Sequence, residues 1–325
     1  MSRTTDVSDL VDRARGGQPR AIARLISLVE DASPQLREVA AALAPFSGHA
    51  RVIGLTGPPG VGKSTSTSAL VTSLRAQGKR VGVLAVDPSS PFSGGALLGD
   101  RIRMHAHATD PGVFIRSMAT RGHLGGLSWA TPQALRVLDA AGFDVVLIET
   151  VGVGQSEVDV VSLADTTVVL LAPGMGDGIQ AAKAGILEIA DVFVVNKADR
   201  DGADATVRDL KNMVAMARRG VGGAAWRQPI VRTVASKMEG LDEVVAALDA
   251  HHQWLVDHGE LEQRRHRRAQ AEIEAIALEA VRAGFEGRGH DVLAGLAKRV
   301  AAGDLDPYVA ADQLIAGIPR TGPVS

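Results

Sequence analysis

No part of the chain restricts its fold more than Arg51 to Thr65, RVIGLTGPPGVGKST. Val52 to Thr56 reads as a short buried strand. The residues that follow, Gly57, Pro58, Pro59, Gly60, Val61, Gly62, Lys63, Ser64 and Thr65, satisfy the G-x-x-x-x-G-K-S/T pattern of a phosphate-binding loop. Ala69 to Leu74 continues as a helix, so the pattern lies in the strand–loop–helix context it needs. Glycines let consecutive backbone N–H groups turn toward a polyphosphate at a helix N-terminus, where unpaired donors and the helix dipole favour anions. Lys63 adds a charge for the outer phosphates and is expected to act in catalysis. The Ser64 hydroxyl is placed for Mg²⁺.

The surrounding pattern agrees with this loop. Apolar, β-rich runs recur at 81–86, 144–148, 167–171, 192–196 and 230–234, separated by helix-compatible segments. Continuous apolar strands between helices indicate an α/β fold with a mostly parallel sheet covered on both faces. Residues 1–50 read as a helical extension: Ile22, Leu25, Ile26 and Val29 share one helix face, and Leu36, Val39, Ala40 and Leu43 another. Ser33-Pro34 suits a helix start between them. Residues 251–325 are helical throughout by pattern, with Asp306-Pro307 opening the last helix and Gly317 closing it. The predicted organisation is therefore 1–50, a P-loop domain at 51–250, and a helical arm at 251–325. In open sheets of this kind ligands lie beyond the carboxyl ends of the strands, and the polar motifs fall there.

Asn196-Lys197-Ala198-Asp199 follows the run at 192–195 and matches the N-K-x-D signature of guanine-binding proteins. A carboxylate at Asp199 accepts from the guanine N1–H and exocyclic amine. Adenine lacks the second donor and would leave the carboxylate unpaired, a difference that sites of this type turn into roughly 10⁴-fold discrimination. Asn196 is expected to brace the loop and the base edge, with the Lys197 stem along the ring. Val234-Ala235-Ser236 occupies the place of a third base-binding turn, with the Ala235 N–H reaching guanine O6 and Val234 where a serine is usual. The nucleotide indicated is GTP.

Mg²⁺ prefers hard oxygen ligands. The candidates are Ser64, Asp87 at the end of the 81–86 run, Glu149 in Glu149-Thr150-Val151-Gly152, and Asp100 in Leu98-Gly99-Asp100-Arg101. Glu149, in a variant D-x-x-G switch, and Gln155, as an orienter of the attacking water, are the further catalytic candidates. Gln155 lies three residues beyond Gly152 rather than next to it, so slow intrinsic turnover is expected. Arg101, Arg103, Arg116 and Arg121 are candidate charge stabilisers, and glycine-rich stretches at 91–104, 121–128, 151–157 and 173–180 are expected to respond to the γ-phosphate. His105, His107, His251 and His252 read as surface residues rather than metal ligands, and the run Arg264 to Arg268 as a solvated helix face.

Composition narrows the partners. A net charge of −2 gives no reason to expect nucleic acid or an anionic membrane. The absence of cysteine excludes disulfides, thiolate metal sites and cysteine nucleophiles. No apolar run approaches the roughly 20 residues needed to span a bilayer, and the amino terminus lacks the apolar core of a signal peptide. A soluble, cytoplasmic protein is expected.

With these residues in place, the chain resembles the MeaB/ArgK family of GTPases, chaperones associated with methylmalonyl-CoA mutase. The resemblance rests on GPPGVGKST at 57–65, VDPSSPFSGGALLGDRIRM at 86–104, RGHLGGLS at 121–128, ETVGVGQSEVDV at 149–160 and VVNKAD at 194–199. It implies a GTPase domain of the class containing signal-recognition GTPases and a carboxyl-terminal arm that forms a homodimer. It also implies GTP and Mg²⁺ as ligands, a responsive loop around Lys183, and a role in gating adenosylcobalamin loading and reactivation of the mutase. A metallochaperone GTPase of related fold would need Cys/His ligands. A small-molecule kinase linked to amino-acid transport would need a substrate pocket that no residues mark.

Overall fold

The structure, a computed structural model, describes residues 6–31, 33–88, 107–120, 130–150, 162–174, 189–217, 225–286 and 289–316. Seven parallel strands form one sheet: β1 (Arg51–Thr56), β2 (Val81–Pro88), β3 (Val113–Thr120), β4 (Val145–Thr150), β5 (Thr166–Leu171), β6 (Val192–Val195) and β7 (Ile230–Arg232), in the order β3-β2-β4-β1-β5-β6-β7. The α/β expectation holds, with one strand more than the sequence revealed. That strand, β3, carries Arg116 in its middle and lies at the sheet edge, so its apolar run is interrupted.

Alternation along the central strands explains why both faces are covered. Val146 and Ile148 of β4 face a core built with α1 (Val7–Arg15), α2 (Pro19–Glu30), α3 (Leu36–Leu43) and α5 (Ala130–Ala140). Val145 and Leu147 face the opposite core, shared with α4 (Lys63–Ala76) and α7 (Leu241–Asp257). The apolar residues of these strands are therefore buried on one side or the other, at roughly 25 cal/mol per Å² removed from water. Helix α6 (Ala203–Ala217) covers β5 and β6 through Val207 and Leu210 against Val169, Leu171, Phe193 and Val195.

The amino-terminal extension is part of the first core rather than an appendage. Ile22, Leu25, Ile26 and Val29 of α2 are all buried, as the spacing predicts. Helix α3 starts two residues after Pro34, because Ser33 Oγ accepts from the Gln35 N–H and holds the chain in a turn there. The link into β1 is fixed by Asp139 of α5, whose carboxylate accepts the backbone N–H groups of Gly48, His49 (3.1 Å) and Ala50 (2.8 Å). Arg116 of β3 is engaged by Glu30 and Ser27 of α2. It is thus an anchor for the extension, and the role of charge stabiliser expected for it is set aside.

At the amino ends of β5 and β6 two carboxylates meet two arginines. Asp191 accepts from Arg264 at 2.8 and 2.9 Å and from the Thr167 N–H at 2.8 Å. Asp165 accepts from the Val52 N–H at 3.0 Å and from Arg265 at 3.2 Å. His251, fully buried on α7, bonds Thr166 Oγ1 through Nδ1 at 2.9 Å and has Nε2 3.3 Å from Asp191. Trp226 packs on the His251 ring at 4.8 Å and donates its indole N–H to the Asp191 carbonyl. Burial alone would raise the Asp191 carboxyl, but the hydrogen bonds and charges of His251 and Arg264 outweigh it and hold it below the usual carboxylate range. Two expectations are corrected here. Arg264 and Arg265, at the start of α8 (Glu260–Glu286), are partners of carboxylates rather than a solvated face, and His251 is a core residue.

By internal contacts the chain divides into two units, 1–265 and 266–325. The second contains the rest of α8, α9 (Gly289–Ala301) and α10 (Pro307–Ala316). Asp306 opens α10 by accepting the Tyr308 and Val309 N–H groups, as expected from Asp306-Pro307. Ile273, Ile276, Val292, Leu293 and Tyr308 in this unit are exposed. Among the described residues no helix is long and apolar enough to cross a membrane.

Candidate nucleotide site

The loop between β1 and α4 has a backbone that only glycine can follow at two points. Gly57 has φ 144°, and a Cβ there would lie 2.2 Å from the Leu170 carbonyl oxygen. Gly62 has φ 94°, and its Cβ would lie 2.6 Å from Asn196 Nδ2. Gly62 is also the N-cap of α4, so the amino terminus of that helix, with its dipole, meets the loop. Lys63 is buried, and its ammonium donates to the Gly57 carbonyl at 2.6 Å and the Pro58 carbonyl at 3.1 Å. A cation and the amino terminus of a helix therefore stand together at this loop, a combination that suits a polyphosphate. Pro58 is half-buried, Pro59 and Gly60 are exposed, Val61 is buried in the core shared with α4 and α7, and Thr65 lies on the first turn of α4.

Ser64 Oγ donates to Glu149 Oε1 at 2.6 Å, both side chains being buried. Register explains the meeting: Glu149 pairs with Leu55 across β1, next to the point where the loop begins. Two hard oxygen donors at the foot of a phosphate loop fit the ligand preference of Mg²⁺. Asp87 lies at the carboxyl end of β2, opposite Ala119 of β3. Asp100 and Gln155 lie outside the described residues, as do Arg101, Arg103, Arg121, His105 and Lys183, and of the glycine-rich stretches only Pro173 and Gly174 are described. His107 is buried, with Nε2 3.0 Å from Ser68 Oγ, and so is not the surface residue expected.

The base end is built around Asn196, which is buried just past β6. Its N–H donates to the Leu171 carbonyl (2.8 Å) and its Nδ2 to the Val61 carbonyl (2.9 Å), tying it to the phosphate loop. Its Oδ1 accepts from Thr233 Oγ1 (3.2 Å) and from the Ala235 N–H (3.1 Å). Lys197 adopts the left-handed conformation at φ 57° and reaches back to the Gly60 carbonyl at 2.6 Å. Asn196 and Lys197 thus connect the tetrapeptide to the loop 135 and 137 residues upstream. The Asp199 side chain stays partly exposed and accepts from Lys237 Nζ at 3.1 Å. The hydrogen bond and charge of Lys237 hold its carboxyl below the ordinary range.

The third turn differs from the simple expectation. The Ala235 N–H, assigned above to guanine O6, is held by Asn196 Oδ1. The Val234 side chain is buried, and its backbone is bridged to Glu239. Ser236 is exposed. An apolar Val234 is drawn into the core, so the polar work of this turn passes to Thr233 and Lys237, which the motif reading missed. Both stand within two residues of Ala235, and a search of that window for donors would have found them.

The comparisons with known proteins agree with this geometry. The family model described as methylmalonyl Co-A mutase-associated GTPase MeaB matches residues 22–289. A Pyrococcus abyssi protein described as a GTPase is 47% identical over 312 residues, covering 95% of this chain and 96% of the relative. A mouse protein described as a methylmalonic aciduria type A homolog, mitochondrial, is 34% identical, over 92% of this chain and 76% of the relative. A solved structure described as a LAO/AO transport system kinase superposes with a TM-score of 0.68 at 27% identity, covering 96% of this chain and 98% of that one.

Proposed function

We propose, from the premise that this chain belongs to the MeaB family of methylmalonyl-CoA mutase-associated GTPases, that its GTP hydrolysis gates the loading of adenosylcobalamin into methylmalonyl-CoA mutase and protects or reactivates that enzyme. The observation that carries the reading is the double tie of Asn196 and Lys197 to the phosphate loop, which makes one site of a guanine-type motif and a polyphosphate-type motif. The mouse relative's description supports the link to methylmalonate metabolism.

In this reading the amides of 57–65 bind the phosphates. Lys63 exchanges its carbonyl partners for the outer phosphate oxygens, trading neutral acceptors for a charged one. Ser64, Asp87, Asp100 and Glu149 would hold Mg²⁺, which when bound supplies charge neutralisation at the β- and γ-phosphates. Gln155 orients the attacking water. Asp199 reads the base edge, with Asn196, Lys197 and the 234–236 turn as its frame. The 251–325 arm forms a homodimer, and the protein acts in the cytoplasm.

A GTP-gated chaperone must bind its client differently in different nucleotide states, and the coupling is reciprocal. Affinity for methylmalonyl-CoA mutase, measured with GTP, with GDP and without nucleotide, is expected to differ between states. Equal affinities in all three would overturn the proposal.

A further inference from the structure

We infer that Lys237 is a specificity-positioning residue: it fixes the Asp199 carboxylate in the orientation that reads the base, so that nucleotide choice depends on a side chain outside both motifs. The inference rests on Asp199 being the base-reading group, as proposed above.

Lys237 and Asp199 lie on different turns, 38 residues apart, and meet through a 3.1 Å contact. The two ends are held unequally. Lys237 closes the short 3₁₀ turn Ala235–Lys237, and its N–H donates to the Val234 carbonyl at 2.8 Å. Met238 follows at φ 60° in the left-handed region. Gly240 has φ 76° and a position whose Cβ would lie 2.1 Å from the Arg232 carbonyl oxygen. The Val234–Glu239 bridge locks the base of this turn. The ammonium is therefore delivered from a fixed backbone.

Asp199 sits with its side chain 40% exposed on the turn after β6. Among the described residues Lys237 is the side chain that hydrogen-bonds it. Lys237 lowers the Asp199 carboxyl pKa through that bond and its charge, with Arg200 nearby adding to the effect and Glu239 facing Lys237. A carboxylate has two oxygens and about four lone-pair directions, so one ammonium on Oδ2 leaves room for two further donors. Exposed ion pairs contribute little to folding. Orienting a rotatable carboxylate in advance does contribute to binding, because that freedom is not lost when the ligand arrives.

The test compares GTP and ATP affinities, by competition against a fluorescent guanine nucleotide with Mg²⁺ present. It uses the wild type, Lys237→Met, Lys237→Arg, Asp199→Asn and the Asp199→Asn/Lys237→Met double variant. Lys237→Met is expected to weaken GTP about five- to tenfold while leaving ATP and the urea midpoint unchanged. Lys237→Arg should restore most of the loss. In the Asp199→Asn background Lys237→Met should have no further effect on the GTP:ATP ratio. If Asp199→Asn collapses the ratio but Lys237→Met leaves it intact, or weakens both nucleotides equally, Lys237 is a structural staple and the inference falls alone. If Asp199→Asn leaves the ratio unchanged, the base-reading role and the inference fall together.

Discussion

Strands β5 and β6 end, in one direction, beside the start of the phosphate loop and at the 196–199 turn, and in the other at Asp165 and Asp191. At the carboxyl ends, Lys63 and Lys197 are satisfied by backbone carbonyls, and Asp199 by one partly exposed lysine. The carbonyls are neutral partners that a phosphate can displace, and the single exposed ion pair leaves carboxylate lone pairs open to a base. At the amino ends, Asp191 is met by Arg264, the Thr167 N–H and the His251 ring, inside a shell that includes Trp226. Those contacts are made to a buried carboxylate and are charge-assisted. The same two strands thus carry replaceable polar contacts at one end and buried, charged ones at the other. Function should concentrate at the first end and stability at the second.

That contrast can be broken or sharpened by experiment. The largest effect is expected from Asp199→Asn, which should remove most of a roughly 10⁴-fold preference for GTP over ATP while leaving the unfolding midpoint unchanged. Competition binding and urea unfolding on the same preparation check both halves. Asp191→Ala should do the reverse. It leaves Arg264 and His251 without their carboxylate and should cost about 3–5 kcal/mol of stability, with the nucleotide affinity of the folded fraction unaltered. Unfolding followed by tryptophan fluorescence suits this variant, because the tilted rings of Trp226 and Trp254 lie 5.9 Å apart beside His251. A loss of GTP affinity in folded Asp191→Ala would show that the two ends are coupled.

Lys63→Ala should reduce single-turnover GTP hydrolysis by about a hundred- to a thousandfold with an unchanged circular dichroism spectrum. Turnover at the wild-type rate would remove Lys63 from the chemistry. The smallest effect concerns pH. The folded state holds Asp191 below its unfolded pKa, so its contribution is complete above that value and is lost as pH falls through the lower folded one. The stability difference between wild type and Asp191→Asn should stay constant from neutral pH to about pH 5 and shrink below about pH 4. A difference that grew on acidification would contradict the assigned sign.

The two ends also differ in how far the sequence discloses them. The phosphate loop and Asn196 to Asp199 are contiguous motifs because a ligand of fixed shape demands neighbouring residues at fixed spacing. The amino-end cluster has no such template. Arg264 meets Asp165 and Asp191 across 99 and 73 residues, and only the folded sheet defines that pairing. In the chain the same arginine sits in a basic run that resembles a solvated face. His251 is hidden for the same reason, since a polar ring in an amphipathic helix reveals its burial only through its partners on β5 and the turn before β6. Strand β3 was hidden by the charge of Arg116, whose partner lies on a helix 86 residues earlier. Lys237 was close enough to Ala235 to be noticed, yet its purpose depends on where Asp199 comes to rest.

Asn196 shows what such a junction permits. Its amide has two hydrogens and two lone pairs. Thr233 and Ala235 occupy the oxygen, and Val61 takes one hydrogen. What remains to offer an incoming heterocycle is a solitary donor, and adenine and guanine both present a ring nitrogen able to accept it. On the proposed reading, the residue that welds the two motifs is consequently blind to which purine has arrived, and discrimination is delegated to the carboxylate three positions along.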